Sequence, residues 1–294
     1  MERKRRLEQI RRVLADAVIA GAAEVLRVKT SGQLAASYKD ATELVTAADQ
    51  ASDAAIRQVL ESRLPSIDPE ITIVLEESGG AALPGRKEVG ADPLDGTNPF
   101  ACGASSYSIQ AHYLEDGSPV IGVLFQPELF LPLDPVEGCT GRLTWAIHGE
   151  GAFQQRSRYA DGHFEFGSQR AVRRNSYPET RRFVSCIPLT ARMKPDEKER
   201  VLRILESGLI SVSTGVGGAG ANIMMTIFGG QQVYANFGAG LDLDLIPPQV
   251  IAEEAGLTVW NINRERPHWT TRKQPVIVAP NARVAELFLS AARY

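Results

Sequence analysis

Asp92 and Asp95 stand three residues apart in the stretch ADPLDGTNPF, directly ahead of Gly96-Thr97. Two carboxylates this close repel each other unless a positive charge lies between them. Three more acids fall where an element is expected to end or begin: Glu76 in VLEESGG, Asp49 in VTAADQ and Asp244 in LDLDLIPP. Strand ends and helix starts are where α/β proteins gather the side chains of a site. Clustered carboxylates without His or Cys favour hard cations, Mg²⁺ above all, which take oxygen ligands and keep several waters. Each acid also has a simpler reading, Asp49 and Asp244 as helix N-caps and Asp92 as an Asx-turn residue before Pro93. A calcium-binding EF-hand loop fails, because the twelfth position counted from Asp92 or Asp95 is Gly103 or Ser106 and not Glu.

The elements that must position these acids are legible as patterns. The N-terminus is basic and then apolar, but Leu7, Ile10, Leu14 and Val18 recur at helical spacing and acids interrupt the run, so an amphipathic helix is expected rather than a signal peptide. DQASDAAIRQVLESRL places Ile56, Val59, Leu60 and Leu64 on one helical face, with Pro65 as a stop. Ile71 to Leu75 is a β-branched run that ends in Glu76, a buried strand reaching a polar site. Asp116-Gly117 marks one hairpin turn and residues 148–151 a second. Asp92 and Asp95 read as lying on a Pro-containing turn. Residues 155–182 are rich in Arg, Gly and Ser and read as a surface connection. The expected halves are residues 1–165, carrying most of the acids, and 166–294, carrying Asp244. Strands alternating with helices make the fold class layered α/β, with no internal repeat and no low-complexity segment.

The whole chain sets limits on function. Its 294 residues can bury a large core, and a formal net charge of −3 supplies no field to recruit nucleic acid polymers or an anionic membrane. No window approaches the roughly 18 consecutive apolar residues of a membrane span. Cys102, Cys139 and Cys186 are odd in number and form no CxxC, which suits a reduced, cytoplasmic setting without disulfides or zinc. GVGGAG fits a dinucleotide-binding GxGxxG through Gly215, Gly217 and Gly220, so an oxidoreductase is a competing reading.

Taken in order, LVTAADQASD, VLEESGG, DPLDGT, GVGGAGANIMMTIFGG and LDLDLIPPQVIAEEAG resemble the motifs of the inositol monophosphatase superfamily, from about Leu44 to Asn281. The resemblance implies an αβαβα sandwich of the sugar phosphatase type, Mg²⁺-dependent hydrolysis of a small phosphate monoester, a homodimer and lithium sensitivity. By the same resemblance Glu76, Asp92, the Leu94 carbonyl, Asp95 and Asp244 hold metal, and Thr97 with Glu76 and Asp49 positions the attacking water. Gly96 and Thr97 offer backbone N–H groups to the phosphate. The Gly217-Gly218-Ala219 helix entry and Asn236 face the substrate. Cations between Asp92 and Asp95 would remove their repulsion and neutralise a group carrying about two negative charges.

Three departures from the family pattern stand out. Leu243 replaces a usual Trp, with Ile246, Pro247 and Pro248 where small residues are common. Asn236 replaces an acid found in inositol-specific members. The segment after DGT is shorter and differently composed. Activity on 3′(2′),5′-bisphosphate nucleotides or fructose 1,6-bisphosphate is the alternative on the same fold, with Arg170, Arg173, Arg174, Arg181 and Arg182 as candidate contacts for a second phosphate or as a solvated face. A decayed site that only binds a phosphate ligand is the alternative of another class.

Overall fold

The computed structural model describes residues 1–32, 36–38, 44–80, 87–128, 140–177, 180–190, 193–215, 217–238 and 241–293. Cys139 lies outside them, while Cys102 and Cys186 are free thiols.

Two helices form the outer layer on one side. Helix α1 (Glu2–Ser31) buries Leu7, Ile10, Leu14 and Val18, the stripe read from its spacing. Helix α2 (Ala47–Arg63) packs beside it. Strands β1 (Ala36–Tyr38) and β2 (Leu44–Thr46) form a small antiparallel ribbon leading into α2.

The first large sheet contains β3 (Thr72–Leu75), β4 (Lys87–Asp95), β5 (Ser108–Glu115), β6 (Ser118–Gln126), β7 (Gly141–Ile147), β8 (Gly151–Ala160), β9 (His163–Phe166) and β10 (Arg170–Val172). Its order is β10-β8-β7-β6-β5-β4-β3, with β9 also pairing β8, and among the described residues β3 and β4 are its one parallel pair. The turn between β5 and β6 has Asp116 at φ 51° and Gly117 at φ 75°, the doubly positive geometry of a tight hairpin. Helix α3 (Thr97–Ala101) follows β4 directly.

The second sheet contains β11 (Phe183–Cys186), β12 (Ile210–Ser213), β13 (Val233–Asn236), β14 (Thr258–Trp260) and β15 (Val276–Ala279), in the order β12-β11-β13-β15-β14. Helices α5 (Ala219–Phe228) and α6 (Asp242–Glu254) lie between the two sheets, sharing a core with Leu124 and Ala146 on one side and Tyr234 and Val278 on the other. Helices α4 (Pro195–Glu206) and α7 (Ala282–Ala291) cover the far face with Val201, Ile204, Ala285 and Phe288. The layers are therefore αβαβα.

The structure corrects three expectations. Residues 155–172 are largely strand, because Tyr159, Phe164 and Phe166 alternate with polar residues, Phe164 and Phe166 packing on Phe125 and Tyr159 on Phe164. An Arg-rich composition hid that alternation. Asp92 and Asp95 sit within β4 rather than on a turn. Asp244 is not the N-cap of its helix, because α6 opens earlier, at Asp242 after Leu241, with Pro247 and Pro248 inside it.

Candidate functional site

The site lies at the carboxyl ends of the parallel strands β3 and β4, where an α/β sheet ordinarily places one. Residues three apart on a regular strand point to opposite faces. In β4 the register shifts between Asp92, opposite Gln110, and Asp95, opposite Ser108. Three residues on β4 thus match two on β5, a bulge that turns both carboxylates to one face. Pro93, which has no N–H for the ladder, sits in the extra stretch. The Leu94 N–H donates to Asp92 Oδ1 at 2.8 Å and tightens the bend.

The first turns of α2, α3, α5 and α6 open onto this spot. In α2, Thr46 and Asp49 form a capping box, with Asp49 Oδ2 accepting from the Thr46 N–H at 2.8 Å and its hydroxyl at 2.6 Å. The other carboxylate oxygen, Oδ1, lies 2.8 Å from Thr97 Oγ1, which is also 3.1 Å from the Leu94 carbonyl. Burial pushes Asp49 above the usual carboxylate range, opposed by the hydrogen bonds from Thr46 and Thr97. In the same helix the Ser52 hydroxyl donates to the Pro93 carbonyl at 2.8 Å. Asp53 accepts from the Glu77 and Ser78 N–H groups and from the Ser78 hydroxyl, fixing the turn that carries Glu76.

Asp95 is bound from the opposite side. Its oxygens accept from the Ala219 N–H at 2.9 Å, the Gly220 N–H at 2.8 Å and the Ser108 hydroxyl at 2.9 Å, so it caps α5 as a carboxylate at the positive end of a helix. Burial nevertheless pushes it up to about 6, with Glu76 adding to the rise and those three donors opposing it. Asp92 is held well above its ordinary range, first by burial and then by Glu76, Asp244 and Asp95. Asp244, in the first turn of α6, is raised by burial and by Asp95 and Glu76, and it accepts a hydrogen bond from Asp92. The acids read from separate motifs therefore meet.

The strongest influences on Asp92, Asp95 and Asp244 besides burial are other acids and hydrogen-bonding groups, not Lys, Arg or His. All-oxygen donors, buried or half-buried and mutually repelling, suit a hard divalent ion. As the side chains lie, no group of three or more His, Cys, Asp or Glu among the described residues is set to hold a metal. Asp92 hydrogen-bonds to Asp244 instead, and a bound cation would take the place of that contact.

The expected substrate contacts are engaged internally. The Gly218 N–H donates to the Ser106 carbonyl at 3.3 Å and the Ala219 N–H to Asp95. Gly217 packs on the Ser106 backbone, and Gly96, at φ 100°, on Gly218. Asn236 Oδ1 accepts from the Gly238 N–H at 3.0 Å, and its Nδ2 lies 3.3 Å from the Tyr234 hydroxyl. The dinucleotide reading loses its anchor, because the helix N-terminus that would take a pyrophosphate holds Asp95. Arg174 bonds to Ala255 and Asn175 to Ile227, at the far ends of α6 and α5. The backbone of Arg173 and Arg174 therefore lies about 12–17 Å from the carboxylates, counted along those helices at ~1.5 Å per residue.

Thr46, Ser52, Asp53, Ser108 and Gln110 were not singled out in the sequence. Thr46 and Asp49 do show the capping-box spacing, and Asp49, Ser52, Asp53 and Ile56 share one helical face. Ser108 and Gln110 carry no local signal at all.

Fold and site together define a layered α/β protein with a carboxylate cluster at converging helix N-termini. The chain belongs to the inositol monophosphatase family, whose profile matches residues 6–294. It is 33% identical over 143 residues to a histidinol-phosphatase of Mycobacterium tuberculosis, covering 48% of this chain and 49% of that protein. Over 122 residues it is 31% identical to an inositol-1-monophosphatase of Synechocystis, covering 40% and 41%. The chain thus spans about half the length, or less, of these curated relatives. Its fold is that of the extragenic suppressor protein suhB from Bartonella henselae, with a TM-score of 0.71 at 19% identity, over 96% of this chain and 97% of that one. No helix among the described residues is long and apolar enough to cross a membrane.

Proposed function

We propose that the chain is a Mg²⁺-dependent phosphoric monoester hydrolase acting on a small phosphorylated polyol, sugar or nucleotide. The observation that carries this reading is the bulge in β4, which turns Asp92 and Asp95 to one face beside Asp244. Glu76, Asp92, Asp95, Asp244 and the Leu94 carbonyl would hold the metal. Bound there, Mg²⁺ would supply positive charge to the phosphate oxygens and to the attacking and leaving groups.

The chain's own residues do the rest. Asp49, locked by Thr46, accepts a hydrogen bond from the Thr97 hydroxyl, which leaves the Thr97 lone pairs to accept a hydrogen bond from a water. That water is held beside Glu76, positioned for in-line attack on phosphorus. Gly96 and Thr97, at the entry to α3, offer N–H groups to the phosphate, and the surrounding helix N-termini favour its negative charge. A homodimer in the cytoplasm accompanies this reading.

The test is phosphate release from inositol phosphate, histidinol phosphate, fructose bisphosphate, adenosine bisphosphate and an aryl phosphate, each with and without Mg²⁺. Mg²⁺-dependent release from at least one, lost in Asp92→Asn, is the expected outcome. Asp95 is a poorer choice, because its carboxylate also holds α5. A folded protein silent on every ester, or an Asp92→Asn variant with full turnover, would overturn the proposal.

A further inference from the structure

Pro247 and Pro248 sit in the interior of α6, where proline removes a helical hydrogen bond and pushes its ring against the carbonyl four residues back. The first helical bond of α6 runs from the Leu245 N–H to the Leu241 carbonyl. By the same spacing Pro247 removes the donor for the Leu243 carbonyl, and Pro248 the donor for the Asp244 carbonyl. The second loss falls on the residue whose side chain meets Asp92.

One side chain lies where that donor is missing. Gln110 is buried on β5, directly opposite Asp92, and its Nε2 donates to the Asp244 carbonyl at 3.2 Å. Among the described residues its Oε1 has no hydrogen-bond partner, so the contact with Asp244 is the bond that its amide makes. The proline turn is also seated closely on the sheet: a Cβ on Gly122 of β6 would lie 2.2 Å from the Pro247 carbonyl oxygen.

We infer that Gln110 is a positioning residue that stands in for the N–H missing at Pro248 and so fixes Asp244 against Asp92. The Pro-Pro pair is then part of a working site, not a mark of its decay. This inference rests on the proposed metal role of Asp244, but it makes a separate prediction about the backbone. If Gln110 compensates for Pro248, restoring the N–H at position 248 makes Gln110 dispensable.

The experiment is a double-mutant cycle with Gln110→Met, close in volume but without the donor, and Pro248→Ala, which returns the N–H. Mg²⁺ affinity is read by calorimetry, and the unfolding temperature of metal-free protein is read in EDTA. Gln110→Met should weaken Mg²⁺ binding about ten- to a hundredfold, the usual loss when an outer partner of a ligand is removed. Adding Pro248→Ala should bring affinity and unfolding temperature back to within about threefold and a few degrees of the Pro248→Ala protein. A Gln110→Met protein that binds as the parent does, or a double variant no better than Gln110→Met, overturns the inference. If Gln110→Met fails to fold, a folded double variant supports it and an unfolded one refutes it. If the parent chain binds no Mg²⁺, the proposed function fails, and the EDTA arm still decides the role of Gln110.

Discussion

Replacing Gly218 with Ala should disable the site from outside the set of ligands. A Cβ at this position would lie 2.2 Å from Asp95 Oδ1, 2.3 Å from its Cγ and 2.4 Å from its Oδ2. Comfortable carbon contacts begin near 3.5 Å, so the carboxylate must retreat by roughly 1 Å. That retreat breaks the bonds to the Ala219 and Gly220 N–H groups, each worth about 1.5–3 kcal/mol for a charged acceptor. Overpacking adds about 1–3 kcal/mol. The sum, roughly 4–9 kcal/mol before relaxation, is a large share of the ~5–15 kcal/mol that holds a domain together. Allowing for relaxation to about half, and ~2–4 °C per kcal/mol in a chain near this size, the unfolding temperature should drop by about 10 °C. A misplacement of about 1 Å should also lower turnover about a hundredfold. The assay is thermal unfolding and Mg²⁺-dependent phosphate release, with Gly167→Ala as the control because its new Cβ would meet nothing nearer than 3.7 Å. A Gly218→Ala protein matching that control in both readouts would refute the account of the glycine-rich entry as packing against Asp95.

Two further outcomes follow from the same geometry. Thr97→Val keeps the shape and removes the hydroxyl that Asp49 orients, so kcat should fall about a hundredfold or more while far-UV circular dichroism is unchanged; a variant within threefold of the parent would remove Thr97 from the water-holding role. Stability of the metal-free protein should fall as pH rises. Asp95 holds its proton up to about 6 in the folded chain against 3.8 for a free side chain, and Asp92, Asp244 and Asp49 are raised in the same direction. The folded state then binds more protons than the unfolded one, so stability present below about pH 4 is lost as pH climbs through the raised values, about 3 kcal/mol for Asp95 alone at ~1.4 kcal/mol per unit. Unfolding in EDTA should thus occur at lower temperature at pH 8 than at pH 5, with added Mg²⁺ restoring more at pH 8. Equal stability at both pH values would contradict the clustering of mutually repelling carboxylates.

Element types and the acids at their ends are legible in the chain's own local pattern. Period-3.6 stripes such as Leu7-Ile10-Leu14-Val18 and β-branched runs such as Ile71–Leu75 are local consequences of which face must be buried, so they survive translation into the fold. Glu76, Asp49, Asp92, Asp95 and Asp244 were visible as acids at element boundaries because their chemistry does not depend on distant partners. Where composition masked periodicity, as in β8 to β10, the reading failed, since Arg-rich alternation looks like a loop until Phe164 and Phe166 are seen against Phe125.

How those acids face one another is a matter of long-range contacts. The shared face of Asp92 and Asp95 depends on a register shift against β5, and a register is a property of two strands rather than one. The capping of α5 by Asp95 joins positions more than a hundred residues apart, as does the bond from Gln110 to the Asp244 carbonyl. A proline pair inside a helix reads as a break in the chain's own pattern. Whether it breaks the site depends on a donor from another layer, because a buried carbonyl takes its hydrogen bond from whatever group the fold brings within reach.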